Sequence, residues 1–176
     1  MRKDLVIFIA HVDDCECASY GYLFKHHEEY EEIKIVTATT WPNKIPVWEK
    51  NLKNLPEPIF SKIKNINLEF NQRTLFENLD PMKDSFYKKI DFNKRFDLLT
   101  HDDKDSHTDH VAVNLAAKGL YKYCNRFITM YSPSSVHFKS NYYIGLSPEV
   151  VSIKKEALDG YDIAKEQSYS KWGYYL

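Results

Sequence analysis

The chain has 176 residues, and its 24 Lys and Arg nearly cancel its 25 Asp and Glu, for a formal net charge of −1. That balance offers no basic field to a nucleic-acid backbone, and 43% hydrophobic against 28% charged residues excludes wholesale disorder. The length suits one domain over 1–176 with a core large enough to need no disulfide staple. The longest apolar run, Leu5 to Ala10, is too short to cross a bilayer or to act as a signal segment. Cys15, Cys17 and Cys124 are odd in number, which fits a reducing cytoplasmic compartment better than secretion.

Taken in chain order, Leu5–Ala10 reads as a strand buried on both faces, the kind found in parallel sheets. Asp13 or Asp14 can cap a following helix whose inward stripe holds Ala18, Leu23 and Phe24. Ile33–Ala38 is a second strand, so the first segment is a strand–helix–strand unit. Pro42, Pro46, Pro56 and Pro58 mark an irregular excursion over 40–58, with a short helix around Trp48 to Leu52. A weak strand follows at Ile66–Phe70, then a helical stretch from Thr74 to Lys89 interrupted near Pro81. Phe96–Thr100 is another strand, and Thr108–Tyr123 is a helix with Val111, Ala112, Leu115 and Ala116 at helical spacing. Strands at Phe127–Tyr131 and Tyr142–Leu146 and a helix from Pro148 to Glu166 complete the series. The alternation predicts an α/β domain with a mostly parallel sheet.

Open α/β sheets place their ligands beyond the carboxyl ends of the strands. Two polar clusters fall at such ends: His11-Val12-Asp13-Asp14, and Asp105-Ser106-His107-Thr108-Asp109-His110. Neutral His and ionised Asp are good ligands for Zn²⁺ or Fe²⁺. His11 and Asp14 can converge from one tight turn, and His110 can supply a third ligand from the second helix. Three ligands leave a position for water, which the metal acidifies. Asp13 then stands beside that water as a general base. His107 can polarise a carbonyl, and Asp109 can orient a histidine. A plainer reading stands beside this one: the aspartates are helix caps, and Ser106-x-x-Asp109 is a capping box. Two clusters at the two ends of one crevice favour the metal.

Other features carry less. Cys15 and Cys17 point to nearly opposite sides of a helix and read as small buried residues. His26 and His27 belong to a charged run at a helix end. Arg73, just after the third strand, can hold sugar hydroxyls or a phosphate, or simply pair with Glu77. Trp41 and Trp48 can cover a sugar ring or fill a core. The sequence has no GxGxxG, Walker A or GxSxG pattern, which disfavours dinucleotide enzymes and serine hydrolases.

Ile9-Ala10-His11-Val12-Asp13-Asp14 resembles the AHPDD motif of the LmbE-like (PIG-L) metal-dependent de-N-acetylases, and His107-x-Asp109-His110 resembles their HxDH motif. Lys154–Leu158 through Gln167–Ser168 is similar to the closing helix of that family, and Phe70-x-x-Arg73 to an Arg-bearing stretch in some members. The resemblance implies a Rossmann-like three-layer sandwich, a divalent metal, usually zinc, and hydrolysis of the acetamide of an amino sugar or sugar conjugate. It implies His11, Asp14 and His110 as metal ligands, Asp13 as base, His107 as oxyanion stabiliser and Asp109 as the group that tunes His107. The sequence departs from the pattern at Val12, where Pro is preferred, at Cys15, where Glu is common, and in 40–58, which lacks a Gly-Glu pair. The expectation is a cytoplasmic zinc-dependent N-deacetylase, with Fe²⁺ the other metal these ligands suit. Its partner would be a small N-acetylated sugar or conjugate, without nucleic acid or a membrane span, and the oligomeric state is open. The rivals are an esterase or amidase on another acylated metabolite and a non-catalytic sugar-binding domain; Asp13 argues against the latter.

Overall fold

A computed structural model describes residues 3–163. Five strands form one parallel sheet: β1 (Lys3–Ile9), β2 (Tyr30–Thr39), β3 (Ile63–Phe70), β4 (Phe96–His101) and β5 (Phe127–Met130). They lie in the order β3-β2-β1-β4-β5. β1 is central, with Ile7 aligned between Ile35 of β2 and Leu99 of β4. Successive strands step outward from β1 to β3, then the chain returns to the other side of β1. This reversal leaves a crevice at the carboxyl ends of β1 and β4, where two neighbouring connections leave the sheet on opposite faces.

The unbroken apolar run of β1 is explained by its two covered faces. Leu5, Ile7 and Ile9 point into a core shared with α1 (Tyr20–His26), α2 (Ile45–Lys53), the one-turn α3 (Glu57–Phe60) and α6 (Pro148–Ile163). Val6, Phe8 and Ala10 point into a second core with α4 (Leu79–Tyr87) and α5 (Thr108–Lys118). Phe8 stacks on Phe86 with ring centroids 3.8 Å apart. The fold is therefore an α/β Rossmann-like sandwich of helix, sheet and helix layers. No helix among the described residues is long and apolar enough to cross a membrane.

Several boundaries differ from the sequence reading. α4 begins at Leu79, so Pro81 sits in its first turn, where a missing N–H costs nothing. α5 stops at Lys118 because the Tyr87 hydroxyl crosses there: it donates to Ala116 O at 3.0 Å and would lie 1.8 Å from any Cβ at Gly119. Tyr142–Leu146 is not a strand; it runs across α1 rather than along the sheet. The Tyr142 hydroxyl meets His26 Nε2 at 2.9 Å, and Leu146 packs where Gly21 lacks a side chain. The expected end of the last helix at Glu166, and the likeness reaching Gln167–Ser168, lie outside the described residues.

Candidate metal centre

Both polar clusters arrive at the crevice. β1 delivers His11 and Asp13-Asp14, followed by a π-helical turn over Cys15–Ser19, a rare geometry often found beside functional sites. Asp14 precedes that turn, but its carboxylate makes no capping bond. Oδ2 folds back to accept the His11 backbone N–H at 2.8 Å. The capping box is not formed either. His107 caps α5, its Nδ1 accepting the Asp109 N–H at 3.2 Å, while Ser106 Oγ donates to Ser134 O at 2.8 Å. The carboxylates are thus released from capping and turned toward the histidines.

Asp14 lies between the rings. Its Oδ2 is 3.3 Å from His11 Nδ1, and its Oδ1 is 3.3 Å from His110 Nε2. Ligand atoms of His11, Asp14 and His110 all lie within 4.8 Å of one another. Bonds of about 2.0–2.1 Å in a tetrahedral zinc site put neighbouring ligand atoms roughly 3.3–3.4 Å apart, the spacing seen on both sides of Asp14.

The second nitrogen of each ring is also accounted for. His11 Nε2 lies 3.2 Å from Asp109 Oδ2, and His110 Nδ1 lies 2.9 Å from Asp105 Oδ2. A neutral imidazole at either position, donating to that carboxylate, would aim its lone pair at the centre, the arrangement by which metal-bound histidines are oriented. Asp105 is fixed in turn by Ser132 Oγ at 2.5 Å and the His107 N–H at 2.8 Å. Two other clusters, His11–His107–Asp109 and His101–Asp105–His110, are also close enough to hold an ion. In each, one pair of the facing atoms is already joined by these hydrogen bonds, His11 with Asp109 and His110 with Asp105. His101 Nε2 accepts the Ala10 N–H at 3.0 Å, so its lone pair is used.

The electrostatics describe a cation site. Burial opposes charge on His11, but its bonds to Asp109 and Asp14 outweigh that and raise its pKa to about 9. Burial likewise opposes charge on His110, yet Asp14 and Asp105 lift it to about 10. Burial alone would raise Asp14, while His110 beside it holds its carboxyl well below the usual range. His101 goes the other way: burial, then the neighbouring His110, lower it to about 4, so it is a neutral wall of the site. Its ring stacks on His110 with centroids 3.8 Å apart.

The remaining expected residues surround this set. Asp13 is buried, and its carboxylate pairs with Lys44 Nζ. His107 is half-buried, its ring stacked 4.7 Å from that of His110. The Asp109 carboxylate makes its side-chain hydrogen bond with His11 rather than His107, whose ring it approaches within 4.8 Å and acts on through charge. It bonds to His11 Nε2 and accepts the Arg73 backbone N–H at 2.8 Å. That bond secures Arg73 in a left-handed conformation, φ 62°. The Arg73 side chain is exposed, and among the described residues no carboxylate lies within ion-pair distance of it, Glu77 included. Trp48 is core, whereas Trp41 is half-buried with its ring 3.9 Å from Lys44 Nζ.

Sequence reasoning missed the parts played by Asp105, His101 and Lys44. Asp105 was visible as a conspicuous acid five residues before His110. His101 ends β4 one residue beyond the expected strand, where the strand-end rule points. Lys44 carried no signal, being one lysine in an irregular segment.

No family model matches the sequence, and no curated protein matches it. Solved structures do match. N,N'-diacetylchitobiose deacetylase from Pyrococcus horikoshii superposes with a TM-score of 0.66 over 97% of this chain and 73% of that one, at 15% identity. A deacetylase of the teicoplanin biosynthesis pathway gives 0.63 over 90% and 83%, at 13% identity. The zinc-inhibited form of teicoplanin deacetylase gives 0.61 over 98% and 90%, at 12% identity. The fold is that of the LmbE-like de-N-acetylases. At such identity the LmbE-like likeness is one of fold, and what the side chains do is argued from their geometry.

Proposed function

We propose that the protein is a metal-dependent hydrolase that removes the N-acetyl group from an amino sugar or sugar conjugate. The observation that carries this reading is the His11–Asp14–His110 set, with ligand atoms within 4.8 Å of one another, a carboxylate on the outer nitrogen of each of the His11 and His110 rings, and a further carboxylate, Asp13, near enough to act on His11 through charge. The deacetylase fold supports it and narrows the reaction class.

His11 Nδ1, His110 Nε2 and the Asp14 carboxylate would hold one divalent ion, Zn²⁺ or Fe²⁺. Bound there, the ion supplies Lewis acidity toward the acetyl carbonyl and an acidified water. Asp13 takes the proton of the attacking water. His107 has its pKa lowered by burial and then by the nearby His11 and His110, so it is neutral at pH 7. Its Nδ1 is occupied as an acceptor for the Asp109 N–H, which puts its one proton on Nε2. It therefore donates a hydrogen bond to the developing oxyanion rather than a proton to the amine. Asp13, protonated by the first step, gives its proton to the departing nitrogen. Asp109 hydrogen-bonds His11, and the exposed guanidinium of Arg73 at the rim holds sugar hydroxyls or a phosphate.

The test is metal content together with acetate release from a panel of N-acetylated and O-acetylated amino sugars. The reading expects about one ion per chain and metal-dependent acetate release from N-acetyl substrates. Release from O-acetyl substrates alone would make the protein an esterase, and no release from any of them with the ion bound would contradict the assignment.

A further inference from the structure

Asp13 and Asp14 are consecutive carboxylates leaving the same strand end, yet they face different surroundings. Asp14 meets the rings of His11, His101 and His110. Asp13 meets the ammonium of Lys44. Lys44 is only 1% exposed, so the charge is committed to this contact rather than to solvent. Its backbone is fixed on both sides: its N–H donates to Trp41 O at 2.9 Å, and its carbonyl accepts the Trp48 N–H at 3.0 Å. The Nζ sits 3.9 Å from the centre of the Trp41 ring and 5.9 Å from that of Tyr161. Burying an ammonium is costly unless a partner offsets it. The turn from Trp41 to Lys44 at the start of α2 is thus built to bring one cation to one carboxylate.

We propose that Lys44 is a positioning residue that keeps Asp13 out of the metal's ligand set. This rests on the hydrolase reading above. A carboxylate next in sequence to a metal-ligating carboxylate is itself a good ligand for zinc or iron. If it closed onto the ion, it would occupy the position a catalytic site leaves for water and would no longer be free as a base. A charge-assisted bond to a fixed ammonium competes with that closure. Lys44 thereby divides the labour of the two aspartates: Asp14 ligates and Asp13 moves the proton. The device lies in the Pro-rich segment after β2, where the sequence departs from the LmbE-like pattern.

The test uses the full-length protein loaded with Co²⁺, whose visible absorption weakens as ligands are added. Wild type and Lys44→Arg should show the same intense spectrum. Lys44→Met should show a weaker one, bind Co²⁺ roughly tenfold more tightly, and lose kcat with little change in KM. In the double variant Lys44→Met with Asp13→Asn, the spectrum should return to that of Asp13→Asn alone. Should Lys44→Met fail to fold, Lys44→Gln keeps the pocket polar while removing the charge, and should shift spectrum and affinity in the same direction. A wild type that binds Co²⁺ and hydrolyses substrate, with the neutral variants spectrally unchanged, overturns the role of Lys44 and leaves the hydrolase reading standing. A wild type that takes up no Co²⁺ overturns both.

Discussion

At the amino end of the sheet, Asp97 of β4 is fully buried and accepts from Lys3 Nζ at 2.7 Å, Arg126 Nε at 2.8 Å and the Tyr30 hydroxyl at 2.9 Å. At the carboxyl end, Asp14 is nearly as buried, but the groups facing it are three imidazoles. The first carboxylate receives permanent cations from its own chain. The second is surrounded by rings that can be neutral, with two further carboxylates, Asp105 and Asp109, hydrogen-bonded to the outer ring nitrogens of His110 and His11. A buried carboxylate alone therefore says little about function. What distinguishes the site is that its positive charge must come from protons or an ion. Asp13 is intermediate: it lies at the carboxyl end but has its own ammonium.

The comparison breaks most sharply on metal uptake. Asp14→Asn should lower Zn²⁺ affinity by roughly 10³-fold or more, while Asp97→Asn leaves it unchanged, as isothermal titration reads directly. Equal loss in both variants would mean that the two ends are not functionally distinct. Next in size, Asp13→Asn should keep the metal and lose roughly 10²-fold or more in turnover. A metal-free but folded Asp13→Asn would instead make Asp13 a ligand.

Asp97→Asn should cost stability rather than activity, about 2–4 kcal/mol in denaturant unfolding at neutral pH, because it removes the centre of a buried charge network. Burial pushes Asp97 up, but Arg126, Lys3 and Tyr30 outweigh it and hold its carboxyl below the ordinary value of 3.8. A lowered folded-state pKa gives stability that is complete above pH 3.8 and is lost as pH falls below it. The gap between wild type and Asp97→Asn should therefore close in acid. Asp105→Asn should weaken Zn²⁺ binding by about 10–100-fold through the lost orientation of His110, with the fold intact. Smallest is Arg73→Ala, with a loss of about 1–3 kcal/mol in kcat/KM and an unchanged melting temperature. Unchanged kinetics would remove Arg73 from the substrate site.

Much of this was legible in the sequence because its causes are local or topological. The apolar run Leu5–Ala10 could be satisfied only by burial on both faces, and the strand–helix alternation placed the two polar clusters at one end of one sheet. Of the residues expected at a site, His11, Asp14, His107, Asp109 and His110 lie close together at that end, and Asp13 turns to Lys44. What was not legible depends on contacts between distant segments. The Asp109 carboxylate could face either histidine, and only the packing of α5 beside β1 turns it to His11. Lys44 meets Asp13 across 31 positions, from a segment with no periodicity to locate it. Tyr142–Leu146 has the aromatic and β-branched residues of a strand, but His26 and Gly21 draw it across α1.

The most direct test is anomalous diffraction at the zinc edge from crystals of the full-length protein grown with zinc. The account predicts one strong peak bound by His11 Nδ1, Asp14 and His110 Nε2, with Asp13 against Lys44 outside the ligand set. An absent peak, or one held at another cluster, would contradict it.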